Sequence, residues 1–327
     1  MPGLRRTAGI TITALALYSV VFVIGTRAWG FPLNRQAIFF WVLLGLLAAS
    51  AASPSKWLRG IVVDWLPLFV LLFTYDFLRG AADDLFPAHI TPQLFADEVL
   101  GLGVAPTVRL QQWLLHATHL HWWDHALSAL YLTHFVVPFA VGIYLWCRNR
   151  HRFRAYAARI ITMSYLAFVT YALYPAVPPW MAGRAGDMEP VTRVNRLVWR
   201  DWGLRFAERL AGDGSHLVNQ VAAVPSLHAA YPALLLFFFW RSGRVVRGVL
   251  AAYTLAMGYA LVYLGEHFFI DIVLGWAYAG LAMWLVARAS RWWQRRHATA
   301  HGDATGAVTN GDTAGVATTD EPAEELV

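Results

Sequence analysis

Apolar residues run through this chain in blocks long enough to cross a bilayer, broken by short arginine clusters or by longer mixed stretches. A helix needs roughly 20 apolar residues to span the hydrocarbon core, and on that rule the pattern predicts about eight spans. They are Ala8 to Gly25, Ala37 to Ala52, Gly60 to Leu78, Ala126 to Trp146, Ala155 to Leu173, Leu227 to Trp240, Val249 to Leu264 and Phe268 to Ala287. The first resembles a signal peptide, but no clear small-residue cleavage site follows and a second span comes at once, so it reads as an anchor.

Two long stretches lack a spanning run. Arg79 to His125 is acidic at its start (Asp83, Asp84, Asp97, Glu98) and aromatic at its end (Trp113, Trp122, Trp123), which suits helices lying in the headgroup zone. Tyr174 to Val224 opens with Pro175, Pro178 and Pro179, a rigid non-helical start because proline fixes φ and lacks a donor. Between Thr192 and Leu210, Val194, Leu197, Val198 and Trp202 recur at helical spacing opposite Arg193, Arg196 and Arg200, predicting an amphipathic helix. From Ala298 onward the chain is Thr, Ala, Gly and acids, and a disordered tail is expected. The expected fold is an all-α polytopic membrane protein in three parts: two spans in 1–59, a catalytic spanning domain in 60–290 and the tail in 298–327.

Composition agrees, with 58% hydrophobic residues, 14% charged and 16 Trp. The single Cys147 excludes an internal disulfide and a thiolate metal cluster. A net charge of +6 would suggest nucleic acid in a soluble chain. Here more than half of the 26 basic residues fall in five short blocks: Arg5 and Arg6, Lys56 and Arg59, Arg148 to Arg154, Arg241 to Arg247, and Arg288 to Arg296. The blocks lie on one side of the predicted spans, so the positive-inside rule makes that side cytoplasmic, with both termini, and no nucleic-acid partner is expected. Both long stretches then face outward.

Two histidine motifs sit on that outer face. Ala222-Ala223-Val224-Pro225-Ser226-Leu227-His228 opens one predicted span, and Gly265-Glu266-His267-Phe268-Phe269-Ile270-Asp271 closes the next. The spacing of four places the Asp271 carboxylate under the His267 ring, where it can fix the tautomer and leave the other nitrogen as nucleophile or base. His228 supplies an acid. The start of the last span offers free N–H groups and a helix dipole to an anionic phosphate, and Ser226 adds a hydroxyl. His134 lies inside a span, where an ionisable group is a functional candidate unless a neighbouring helix satisfies it. His116, His119, His121, Asp124 and His125 have the residue types of a metal site, but they fall close together on one amphipathic stretch beside tryptophans. Interfacial packing is the preferred reading, with no metal or cofactor expected.

Pro225-Ser226-Leu227-His228 followed by His267-x-x-x-Asp271 resembles the second and third motifs of the type-2 phosphatidic acid phosphatase superfamily. The similarity is greatest to the branch containing fungal inositol phosphorylceramide synthase, which also has Leu in the Pro-Ser-x-His motif. Tyr174-Pro175-Ala176-Val177-Pro178-Pro179-Trp180 and Tyr75-Asp76-Phe77-Leu78-Arg79-Gly80 are similar to other segments of that branch. The resemblance implies a six-helix core and a phosphohistidine on His267, oriented by Asp271, with His228 protonating the leaving oxygen. It implies a membrane lipid phosphate as substrate and either a hydroxyl acceptor (polyol, glycan or lipid), as in a phosphotransferase moving a group such as phosphoinositol, or water, as in a lipid phosphatase. A non-enzymatic lipid carrier explains the spans but not the gathering of polar residues at one face; a scaffold leaves the two histidine motifs without a role. Ala260 and Leu261 stand where the wider superfamily has Ser-Arg, and its Lys-x6-Arg-Pro motif is missing. The phosphate-binding cations therefore rest on position: Arg79 first, with Asp76 beside it, then Arg184 after the proline segment.

Overall fold

The structure, a computed structural model, describes residues 2–29, 35–52, 58–81, 86–116, 118–204 and 221–309. The chain divides into a unit of residues 1–283 and a second of 284–327. Among the described residues it is helical with no strand, in the order α1 (Pro2–Trp29), α2 (Arg35–Ala49), a π-helical turn (Ile61–Trp65), α3 (Leu66–Ala81), α4 (Thr91–Leu100), α5 (Pro106–Leu114), α6 (Trp122–Arg148), α7 (Arg150–Leu173), α8 (Pro179–Ala185), α9 (Val194–Asp201), α10 (Leu227–Phe238), α11 (Arg244–Tyr263) and α12 (Phe269–Thr309).

Six helices are long and apolar enough to cross a membrane, and at the other two predicted spans the helices are short, Ala37–Ala49 and Leu227–Phe238. Twelve helical residues in α10 rise only about 18 Å, against a hydrocarbon core of about 30 Å. Its apolarity reflects burial in protein: residues Ala229 to Leu235 are buried, and the helix forms a hairpin with α11. The helix begins at Ser226, whose Oγ accepts the Ala229 amide, and ends before Gly243, which takes a left-handed φ of 112°.

One core cluster gathers Trp65, Leu72, Phe153, Tyr156, Met163, Leu234 and Leu235 from the π-helical turn, α3, α7 and α10. Asp64, an acid within the third predicted span, is buried there and accepts from Trp146 Nε1 (2.9 Å) and Arg154 Nε (2.7 Å), which removes the cost of an unpaired charge. A second cluster joins Tyr131 of α6 to Val194 and Val198 of α9, Met257, Leu261 and Tyr263 of α11, and Ile272 of α12.

Pro138 lies inside α6 and Pro232 inside α10. Neither can donate to the carbonyl four residues earlier, and in both cases that carbonyl belongs to a histidine of the candidate site, His134 and His228.

The two long stretches carry short helices, α4 and α5 in the first, α8 and α9 in the second. The amphipathic helix predicted from Thr192 to Leu210 is shorter, ending at Asp201 before Gly203 (φ 69°), and residues 205–210 lie outside the described residues. In the second unit α12 continues to Thr309, into the segment expected to be disordered, because extending a helix already nucleated costs far less than starting one. Residues 310–327 lie outside the described residues.

Candidate active site

The turn joining α11 to α12 is held on every side. Gly265 has φ 76°, and a Cβ there would come within 2.9 Å of the Thr192 carbonyl, so glycine is required by conformation and by space. Trp180 N donates to Gly265 O (3.1 Å), Val194 N to Leu264 O (3.2 Å) and Gln111 Nε2 to Tyr263 O (2.9 Å). Gln111 also exchanges two bonds with the Thr192 backbone, through Nε2 to the carbonyl and Oε1 from the amide, both 2.8 Å. Glu266 is buried and receives Arg193 as a fork, Nε at 3.0 Å and a terminal nitrogen at 3.1 Å, together with Asn195 Nδ2 at 3.0 Å. The Arg193 guanidinium lies over the Trp180 ring, 4.7 Å from its centroid.

His267 follows at the end of this turn, before α12 begins, and Asp271 lies in the first turn of the helix. The spacing of four closes as expected, with Nδ1 3.5 Å from Asp271 Oδ2, although the ring itself is not helical. That distance is an ion-pair contact longer than a regular hydrogen bond, a common state for a dyad without substrate. The same Oδ2 accepts the Phe268 amide at 3.0 Å, and Asp271 is fully buried.

The N–H groups at the start of α12 are not free, which corrects the expectation of a phosphate there. Asp97 of α4, also fully buried, accepts Phe269 N at 2.8 Å and Ile270 N at 3.0 Å. Burial pushes the Asp97 carboxyl up to about 6, against the lowering effect of the two amides, and nearby Asp271 adds to the rise.

His228, second residue of α10, comes to His267 with ring centroids 5.8 Å apart. α6 cradles it, with Tyr131 stacked at 4.5 Å and His134 at 4.0 Å, one turn apart on the helix. The histidine inside the predicted span is thus a member of the site. α10 and α12 meet closely at the Pro-Ser turn: Ser226 N donates to Asp271 O (3.0 Å), and a Cβ on Gly275 would lie 2.4 Å from the Ser226 carbonyl. Ser226 is fully buried and its Oγ caps α10. Adjoining His134 is a small apolar cavity of about 30 Å³, lined by Trp65, Leu72, Phe139, Phe153 and Tyr231 among others.

Tyr174, at the head of the proline segment, stacks on His89 at 4.3 Å, and parallel bridges tie His89 to Ala176 and Ala176 to Ala222. Burial, then the Asp271 carboxylate, push the Tyr174 phenol above its usual range. Of the proposed cations, Arg184 is exposed, and the side chains of Arg79 and Asp76 lie outside the described residues.

The Pro-Ser-Leu-His turn, the His–Asp dyad and their convergence are what the family comparison has to account for, and the PAP2 superfamily profile matches residues 95–285, from α4 through both histidine motifs. The chain belongs to the PAP2 superfamily. It is also similar to the phosphoinositol dihydroceramide synthase of Bacteroides thetaiotaomicron, 26% identical over 295 residues covering 84% of this chain and 89% of that protein. No solved structure matches. As a PAP2 protein the chain is an enzyme of the phosphatidic acid phosphatase type, a lipid phosphotransferase or phosphatase.

Sequence reasoning missed Asp97, Gln111 and the Arg193–Glu266 pair. Asp97 registered only as acidity of its loop and Glu266 only as part of a motif. Their partners are far away in sequence, 172 residues for Asp97 to Phe269 and 73 for Arg193 to Glu266, so no local spacing announces them.

Proposed function

We propose that this PAP2 enzyme is a phosphotransferase that moves a phosphate-bearing head group from a membrane lipid to a hydroxyl acceptor through a phosphohistidine on His267. The observation that carries this reading is the pair of imidazoles 5.8 Å apart, with a buried carboxylate behind one of them. At that separation the two rings can serve one phosphorus, His267 at an attacking distance of about 3–3.5 Å and His228 within a hydrogen bond of about 2.6–3.2 Å of the leaving oxygen.

Asp271 faces Nδ1 of His267, which leaves Nε2 to attack phosphorus. The P–N bond forms, the bond from phosphorus to the leaving oxygen breaks, and His228 gives that oxygen a proton. In the second half the acceptor hydroxyl loses its proton to His228, attacks phosphorus, and the P–N bond breaks. His134, packed against His228 at a tilt, and Tyr131, stacked on it, hold that ring in place. Asp97 fills the helix N-terminus, so the charge on the phosphoryl oxygens falls to a side chain. Arg193 is a described cation hydrogen-bonded to the residue next to His267, and Arg79 and Arg184 remain candidates from their positions.

The name of the similar protein joins phosphoinositol to dihydroceramide, and the residues lining the small cavity beside His134 are mostly apolar, the surroundings a lipid chain needs. These support a phosphoinositol-type head group as the transferred unit and a lipid hydroxyl as acceptor, at a site on the extracytoplasmic face with both termini cytoplasmic. The test is to supply purified enzyme with phospholipid labelled in the head group, with and without a long-chain lipid bearing a free hydroxyl, and to identify the products. A labelled acceptor adduct is expected. Release of inorganic phosphate from a lipid monophosphate, with no adduct for any acceptor, would replace the transferase by a phosphatase.

A further inference from the structure

The five residues with metal-ligand chemistry from the end of α5 into the first turn of α6 separate into two groups. Asp124 is committed: it takes the Tyr263 hydroxyl on Oδ1 and the His121 amide on Oδ2 at 2.7 Å. His125 turns to Asp201 (3.9 Å) and Trp202. His116, His119 and His121 remain, with one ring nitrogen from each lying within 4.8 Å of the other two and ring centroids 4.5 to 5.0 Å apart. Three imidazoles do not gather for mutual attraction, since each loses hydration and repels the others once protonated.

His121 is the fixed member. It stacks on Trp123 at 4.1 Å and caps α6, its side chain accepting the Asp124 amide, while its Nε2 is buried with no hydrogen-bond partner. Burial, then the neighbouring His119 and His116, hold the ring below its usual pKa. His116 and His119 are exposed and free to turn, and His119 already engages Thr118 through Nδ1 (3.3 Å), which leaves Nε2.

We propose that His116, His119 and His121 form a binding site for one divalent transition-metal ion of the zinc type, with water completing the coordination. An all-imidazole set suits zinc, copper or nickel and not magnesium or calcium. Zinc–nitrogen bonds of about 2.0–2.1 Å in tetrahedral geometry put ligand nitrogens about 3.4 Å apart, so the two exposed rings close inward by about 1.4 Å at most. Coordination through Nε2 of His121 moves its proton to Nδ1, which then turns from the Asp124 amide to the Asp124 carboxylate, the usual outer partner of a metal-bound imidazole. The Asp124 amide keeps its other acceptor, the His121 carbonyl at 3.1 Å. Such an ion ties the end of α5, whose Gln111 clamps the turn before His267, to the start of α6, which carries Tyr131 and His134.

The test uses tag-free full-length protein in detergent, titrated with Co(II) and followed by its visible absorption. The proposal expects one saturable equivalent, displaced by Zn(II), with affinity lowered about tenfold or more in His119→Ala and the signal lost in a His116→Ala, His119→Ala double variant. Both substitutions are at exposed positions, so the metal-free variants should keep the wild-type Tm, and added Zn(II) should raise the Tm of the wild type alone. No saturable signal at one equivalent, or the same affinity in the double variant, overturns the assignment.

Discussion

Asp97→Asn separates the tether at the head of α12 from every other titrating group in the protein. The native carboxylate is fully buried, accepts two amides and is pushed up to about 6 from an ordinary 3.8. Because the folded protein holds this proton more tightly than the unfolded chain does, the associated stability is full below pH 3.8 and is lost as pH rises through about 6. The difference corresponds to about 3 kcal/mol, of which roughly half is still to be lost between pH 5 and pH 8. Asparagine has the shape and acceptor count of the neutral acid but does not titrate. The variant should therefore gain on the wild type by about 1.5 kcal/mol over that range, a relative Tm shift of about 2 °C for a chain of this size. Thermal unfolding of both proteins in one detergent across that range measures the difference directly, and titrating histidines cancel between them. Turnover at pH 8 should fall even where Tm improves, because one of two amides at the dyad's helix loses its acceptor. Parallel Tm curves for the two proteins would refute the reasoning.

Three further outcomes follow from the site. His267→Ala should abolish both product and the labelled phosphoenzyme, whereas Asp271→Asn should lower turnover about 10²–10⁴-fold with the protein still folded, as when a histidine loses its orienting carboxylate; rapid quench and acid-labile label quantify both. Gly275→Ala sets a methyl 2.4 Å from the Ser226 carbonyl, so it should cost about 1–3 kcal/mol and show as a lowered Tm together with lost activity. A reporter active only outside the cytoplasm should work when fused after Asp187 and fail after Arg150 or at the C-terminus, as enzymatic staining of cells will reveal.

The site was legible where its chemistry is local. His267 and Asp271 meet because four residues bring them to one side of a helix start, and His228 follows a Pro-Ser turn that begins a helix. Hydropathy located the long apolar helices but carries no information on the length of α10, since a helix buried in protein is as apolar as one in lipid. Free amides at the start of α12 were a sound expectation for any helix and failed because a carboxylate from α4 occupies them. Gln111 gave no signal at all: its three bonds go to backbone atoms in two distant segments, and backbone atoms leave no trace in side-chain pattern.

The long reach of Asp97 has a bearing on biogenesis. The ribosome releases α4 early, and its carboxylate waits 172 residues for the amides it will cap. Until α12 is made the nascent chain already holds His228 and His134, yet Asp97 has no amides to cap and the proposed nucleophile His267 has no carboxylate behind it. On the proposed mechanism, a polypeptide truncated after α11 should form no phosphoenzyme, because it lacks His267 and Asp271. On that mechanism the order of synthesis acts as a safety catch, delaying chemistry until α12 is seated.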